Sequence, residues 1–205
     1  MKINEMFVSL QGEGKFVGIP AIFIRLSGCN RSCSWCDTKY HKEGDEINIK
    51  KIINTIKKSG TDTVVWTGGE GLLQFIEMTQ IISQLPSFSH HLETNGDLLT
   101  RDKLSYFDYI SVSPKDANTL NRVMQLMSYN NFWLGYFYDI KIASDLDKVN
   151  KEMAKKASLL MPLTTSDKEK NKKISRKVWD FCIKHKIRYS PRLHVDVWGV
   201  KRRGK

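Results

Sequence analysis

Cys29, Cys33 and Cys36 fall within one eight-residue stretch of the run Gly28-Cys29-Asn30-Arg31-Ser32-Cys33-Ser34-Trp35-Cys36-Asp37-Thr38. A C-x3-C-x2-C spacing places three thiolates on one tight loop, where they can hold three irons of a cubane [4Fe–4S] cluster that ordinarily takes four cysteine ligands. The fourth iron is then open to an external ligand, as in any site with an incomplete protein ligand set. S-adenosylmethionine (SAM) can chelate such an iron through its amine and carboxylate. Electron transfer into its sulfonium then yields a 5′-deoxyadenosyl radical, a chemistry that belongs to the cofactor. The alternative is a zinc site that recruits His41 or Cys182 as fourth ligand, although paired C-x2-C knuckles are the usual zinc spacing. Three unliganded thiols this close would be prone to oxidation. Cys182, far from the others, falls in the apolar pattern of a late helix and is expected in the core.

A second motif, Thr67-Gly68-Gly69-Glu70, follows about one βα unit later. Glycines let backbone approach a ligand without Cβ obstruction, and the Glu70 carboxylate can accept a hydrogen bond from an ammonium group. Alone, such a turn is ordinary. After the cysteine loop it fits a site for the methionyl part of SAM.

The elements that must carry these motifs alternate along the chain. Residues 21–26 read as a buried strand entering the cysteine loop, and Ile49, Ile52, Ile53 and Ile56 recur at helical spacing before Gly60. A strand at 63–66, a helix at about 72–85 closed by Pro86, and strands at 91–94 and 109–112 follow. Then come a helix from about Asn118, strands at 137–141 and 159–161, a helix over 167–185, and a last strand over 187–193. Repeated βα units predict an α/β fold, a partial, open βα barrel with mainly parallel strands, formed by residues 1–205 as one domain. Function in parallel sheets collects at the C-terminal strand ends. The cysteine loop, Gly68-Gly69-Glu70, Asn95-Gly96 and Ser113-Pro114-Lys115 all follow strands and are expected on one rim.

The 33 basic and 22 acidic residues give a net charge of +11. Much of the excess lies in residues 168–177 and in the tail 201–205. No aromatic residue is interleaved in the first of these for base stacking, so a solvated lysine face is expected there rather than a nucleic-acid surface. No apolar run approaches the roughly 20 residues that span a bilayer, and the first residues lack a signal-peptide pattern, so a cytoplasmic protein is expected.

With Ser9-Leu10-Gln11-Gly12-Glu13-Gly14, Arg25-Leu26-Ser27-Gly28-Cys29-Asn30, Trp35-Cys36-Asp37-Thr38, Thr67-Gly68-Gly69-Glu70, Glu93-Thr94-Asn95-Gly96, Ser111-Val112-Ser113-Pro114-Lys115 and Arg192-Leu193-His194, the chain resembles the radical SAM superfamily. Within it, the chain is similar nearly end to end to the 7-carboxy-7-deazaguanine synthases of the queuosine pathway. The resemblance implies a radical SAM barrel and a ring contraction of 6-carboxy-5,6,7,8-tetrahydropterin to 7-carboxy-7-deazaguanine with loss of ammonia and regeneration of SAM. It also implies a homodimer and a flavodoxin-like or other electron donor.

By motif position, Cys29, Cys33 and Cys36 would hold the cluster, and Trp35, Gly69, Glu70, Ser113, Pro114 and Lys115 would bind SAM. Thr38 would share Mg²⁺ with substrate oxygens and waters, a set that suits a hard cation; a simple turn residue is the alternative. Leu10, Gln11 and Gly12 would contact the pterin, and Glu13 would reinforce that contact or shape the loop. Arg25 would form a forked pair with the substrate carboxylate, because arginine in an apolar strand is costly unless paired. Thr67 and His194 are further substrate candidates, although a histidine in a strand also has an ordinary structural reading. Two residues depart from the family: Gly71 stands where proline is common, and Met161 where glutamine is frequent. A glycyl-radical activase would share the cysteines and the glycine motif without needing Gln11, Glu13 or Arg25. A non-catalytic zinc or iron–sulfur module is the other rival.

Overall fold

The computed structural model describes residues 1–36, 38–128 and 137–200; Asp37 and the basic tail lie outside the described residues. Among them the strands are β1 (Lys2–Leu10), β2 (Pro20–Leu26), β3 (Asp45–Glu46), β4 (Thr63–Gly68), β5 (Ser89–Thr94), β6 (Tyr109–Val112), β7 (Phe137–Ser144), β8 (Leu159–Pro162) and β9 (Arg188–Tyr189). They form one sheet in the order β3-β1-β2-β4-β5-β6-β7-β8-β9. Every pairing from β2 to β9 is parallel. β1 runs antiparallel to both β2 and β3, an edge hairpin the sequence reading did not contain. The helices are α1 (Ile49–Lys57), α2 (Phe75–Ile82), α3 (Arg101–Leu104), α4 (Ala117–Ser128), α5 (Lys168–His185) and α6 (Leu193–Trp198).

Side-chain alternation assigns the two faces of the sheet. Ile22, Ile24, Leu26, Val64, Trp66, Leu92, Ile110 and Val112 join Ile52, Ile53 and Ile56 of α1 in one apolar cluster. Ile140, Ile142 and Leu160 meet Ile174, Val178 and Cys182 of α5 in a second. Burial of a large side chain contributes about 1.5–3 kcal/mol, so these two clusters clamp the helices to one face of the sheet. The buried Trp66 indole donates to His90 Nδ1 at 3.2 Å, and His90 Nε2 lies 3.1 Å from the Leu85 carbonyl, so neither ring is left unpaired in the core. The helix ends follow local chemistry. Asn48 caps α1 by accepting from the Lys50 N–H, and Asp167 caps α5 by accepting from Glu169 and Lys170.

Two expectations need correction. The helix expected at about 72–85 is broken: a 3-10 turn, Gly71–Gln74, precedes α2, because the Glu70 carboxylate accepts from the Leu72 N–H and starts a separate turn. The last strand, expected over 187–193, keeps only Arg188–Tyr189 in the sheet. Past Pro191 the chain leaves the sheet, the Leu193 N–H donates to the Gly12 carbonyl at 2.9 Å, and α6 begins, so His194 sits on a helix rather than a strand.

Candidate active site

The cysteine loop leaves the end of β2 and is held by its neighbours on both sides. The Gly28 N–H donates to the His41 carbonyl at 2.7 Å, and the Gly28 carbonyl accepts from Glu70 at 2.9 Å. Arg31 reaches across to Asp97, donating from Nη2 at 2.6 Å, and also pairs with Asp116 at 2.7 Å and Thr119 at 2.9 Å. Asn30 donates to Asp97 at 2.8 Å and accepts from Asn95 at 2.8 Å. Arg31's hydrogen bonds hold the Asp97 carboxyl below its usual range, so the pair stays ionised. Residues between the cysteines therefore lock the loop to the turns after β5 and β6.

Gly69 makes this closeness possible. A Cβ there would lie 2.1 Å from the Gly28 carbonyl oxygen and 2.8 Å from Cys29 Cβ. Gly69→Ala is therefore expected to push the two loops apart and to lower the iron and sulfide content of the reconstituted protein. Full incorporation would show that the close packing is dispensable.

Cys29, Cys33 and Cys36 are in no disulfide and border one cavity together with Trp35, Thr38 and Gly69. Burial pushes the Cys29 thiol up, against a hydrogen bond from the Arg31 backbone to its sulfur at 3.4 Å. Ser113, Pro114 and Lys115, after β6, line the same cavity. Cys182 lies in the core under α5 and cannot be a fourth ligand. His41 does border the cavity, with Nδ1 buried and unpaired. The donor set on this rim, three thiols and no fourth cysteine among the described residues, fits a cubane with one open iron.

Glu70 is the exception among the sequence candidates. It is fully buried beneath the cavity, where its carboxylate accepts from Thr94 Oγ1 at 2.8 and 2.9 Å, from the Asn95 N–H at 2.8 Å and from the Leu72 N–H at 3.1 Å. Burial pushes its carboxyl up, and those hydrogen bonds oppose the shift. The carboxylate expected to meet an ammonium group instead ties the turn after β4 to the end of β5.

Across the cavity lie Leu10, Gln11, Gly12, Glu13, Arg25, Thr67 and His194. Residues 11–19 cross the concave face of the sheet: Gly14 N–H donates to Ser190 Oγ at 2.8 Å, and the Phe16 ring packs on His91 and Tyr109 with centroids 4.6 and 4.8 Å apart. Gly12 is required where the crossing chain passes α6, since a Cβ would lie 2.2 Å from His194 Nδ1. Arg25 stands beside Thr67 in the β2–β4 register. Its Nε donates to Glu5 at 2.6 Å, and its Nη1 points to Thr38 Oγ1 at 3.5 Å.

The residues missed from the sequence are those that surround Glu13. Lys141, buried on β7, donates to Glu13 at 2.9 Å and to Glu93 at 2.6 Å. Arg192 donates from Nε to Glu13 at 2.9 Å and from Nη1 to Thr164. Gln11 Nε2 lies 3.4 Å from Glu93, and its Oε1 accepts from the Glu13 N–H at 3.2 Å. Burial alone would raise the Glu13 pKa, but Lys141, then Arg192 and His194, hold it well below the carboxylate range. Burial alone would lower that of Lys141, and Glu13 and Glu93 more than reverse this. Glu13 and Lys141 therefore stay charged at neutral pH.

Residues 23–131 match the radical SAM superfamily. Over 215 aligned residues the chain is 32% identical to a 7-carboxy-7-deazaguanine synthase of Pyrobaculum aerophilum, covering 98% of this chain and 96% of that protein. It is 30% identical to the Hyperthermus butylicus protein of the same name, covering 96% and 92%. The crystal structure of QueE from Escherichia coli superposes with a TM-score of 0.56 at 23% identity, over 92% of each chain, and shares the fold.

Proposed function

Because the chain belongs to the 7-carboxy-7-deazaguanine synthase family of the radical SAM superfamily, we propose that it contracts 6-carboxy-5,6,7,8-tetrahydropterin to 7-carboxy-7-deazaguanine with release of ammonia. The observation that carries this reading is the cavity's two-sided lining: three thiols on one wall and, on the other, a buried Lys141 that donates to Glu13 and Glu93. Neither a glycyl-radical activase nor a bare metal module has a use for that second wall.

The [4Fe–4S] cluster and SAM, when bound, supply reversible hydrogen-atom abstraction. Cys29, Cys33 and Cys36 hold the cluster, and Trp35, Gly69, Ser113, Pro114 and Lys115 bind SAM, with Glu70 bracing their loops from below. Glu13 is an acceptor fixed in place by two cations, so it can take N–H groups from the pterin's amino-pyrimidinone edge without moving. Gln11, which is pinned by its backbone to Ile19 and Gly18 at 2.8 Å each, extends that edge. Arg25, steadied by Glu5, offers its terminal nitrogens to the substrate carboxylate. Leu10, Gly12, Thr67 and His194 close the pocket.

Thr38, whose Oγ1 lies 3.5 Å from Arg25 Nη1, would hold Mg²⁺ through its hydroxyl, a donor that suits a hard cation. The reading further includes a homodimer, a flavodoxin-like or other electron donor, one functional domain over 1–205 and action in the cytoplasm. None of the helices among the described residues is long and apolar enough to cross a membrane.

The test is anaerobic reconstitution followed by incubation with the carboxypterin, SAM and reductant, with and without Mg²⁺. Deazaguanine should form with SAM recovered intact. No product from a cluster-loaded protein, or consumption of one SAM per turnover, would overturn the reading. Thr38→Ala is expected to lower turnover at fixed Mg²⁺ about 10–100-fold, by analogy with other losses around a metal. It should also abolish the response to added Mg²⁺; an unchanged Mg²⁺ titration would remove Thr38 from the metal site.

A further inference from the structure

Below the cavity, the inner face of the sheet is polar where a barrel interior is ordinarily apolar. Three buried side-chain atoms among the described residues have no hydrogen-bond partner, and two of them, Ser111 Oγ and His91 Nδ1, lie on this face. In register across β5, β6 and β7, Glu93 stands beside Ser111 and Ser111 beside Asp139. Strands spaced about 4.8 Å apart put such neighbours within the span of a single bridging water. Asp139 accepts from Tyr109 Oη at 2.9 Å and from Ser158 Oγ at 2.9 Å. Ser158 is exposed at the start of β8, the end of the sheet opposite the cavity. At the upper end, Glu93 meets Lys141 at the cavity wall. Phe16 packs over His91 and Tyr109 and closes the file off laterally.

Buried hydroxyls and imidazoles without partners are rare, and the usual resolution is an ordered internal water. We infer that the file Glu93–Ser111–Asp139–Ser158 is a water-mediated proton path between the active cavity and solvent, with Ser111 and Asp139 as its positioning residues. The inference rests on the activity proposed above and gives the file its task. A ring nitrogen leaves as ammonia when its bonds to ring carbon break and a carbon–carbon bond closes the smaller ring. The nitrogen gains as many hydrogens as the ring gives up, so no net proton or electron is consumed. Protons must nonetheless move between the ring and the departing nitrogen, and the file lets them exchange with solvent.

Asp139→Asn keeps the size of the side chain and an acceptor for Tyr109 but carries no titratable proton; Ser111→Ala removes the bridging hydroxyl. Both are expected to lower kcat about tenfold, less than the roughly 100-fold or more lost with a direct acid–base group, because neither touches substrate. The KM for pterin and SAM, cluster absorbance and Tm should stay at wild-type values while the solvent deuterium isotope effect on kcat rises. Asp139→Glu should recover part of the rate. Wild-type kcat and isotope effect in both variants, beside a productive wild type, overturn the path and leave the activity standing. A wild type that makes no product overturns both. Independently of turnover, a high-resolution crystal structure should show a water about 2.7–3.2 Å from Ser111 Oγ. A dry Ser111 overturns the path whatever the rates.

Discussion

Cys33→Ala is expected to give a colourless protein that neither binds SAM nor forms product, whereas Arg25→Ala keeps the broad visible absorbance of a [4Fe–4S] cluster and loses substrate use. The difference follows from where the two side chains stand. Cys33 lies in the middle of the only three-thiol wall among the described residues, and Cys182 is sealed in the core and cannot substitute. Two thiolates cannot hold a cubane in place of three, so cluster and activity should vanish together. Arg25 sits on β2 ahead of the cysteine loop, with its side chain paired to Glu5 at 2.6 Å. Losing a charge-assisted hydrogen bond costs about 1.5–3 kcal/mol, or about 10–100-fold in kcat/KM. Arg25→Lys should restore only part, because a point charge cannot reproduce the fork. Iron content, SAM binding and kcat/KM measured on the three variants decide the matter. Equal cluster loss in Cys33→Ala and Arg25→Ala would show that the two walls of the cavity are not separable.

The cysteine wall was legible in the sequence because its geometry is local: three thiols in one loop need no tertiary information to be neighbours. The βα alternation was legible for the same reason, since apolar periodicity reports which face of each element is buried. What escaped lies between distant segments. Lys141 meets Glu13 across 128 residues and Glu93 across 48, and Arg192 meets Glu13 across 179. No spacing rule links them. One signal was nevertheless present. Lys141 stands in the apolar run Asp139-Ile140-Lys141-Ile142, as Arg25 does in its own, and the cost of burying an unpaired cation applies equally to both. Glu70 teaches the converse. Its motif reads as ligand-facing, but only one face of the turn looks into the cavity, and the carboxylate is on the other, stitching β4 to β5. β1 escaped because its alternating side chains are only partly buried and its pairing is set by the antiparallel hairpin with β2.

The second large effect is expected at Lys141. Lys141→Met keeps much of the side-chain volume but leaves Glu93 without its cation and Glu13 with only Arg192 and His194. Breaking a buried ion pair from one side costs about 3–5 kcal/mol, since the remaining charge is stranded. For a chain of this size that is a fall in Tm of about 10 °C. The pH dependence tests the cause. The Glu13 carboxyl is depressed in the folded state, so its contribution to stability is present above its ordinary value of 4.5 and is lost as pH falls below it. The Lys141 ammonium is raised, so its contribution is present below its ordinary 10.5 and is lost only at strongly alkaline pH. The contribution of this pair should therefore be constant between those limits, and any slope of the wild-type Tm there comes from other groups such as the buried His90 and His91. In Lys141→Met, burial acts on Glu13 with less opposition, its carboxyl rises, and the acid limb of the Tm curve moves towards neutrality. Adding Glu93→Gln should return part of the lost stability by removing the stranded charge, yet product formation should stay near background because Glu13 is no longer fixed. A Tm–pH curve for Lys141→Met that overlays wild type would mean that the cluster neither stabilises the fold nor holds Glu13 ionised. The second wall of the cavity would then owe its order to the crossing loop alone.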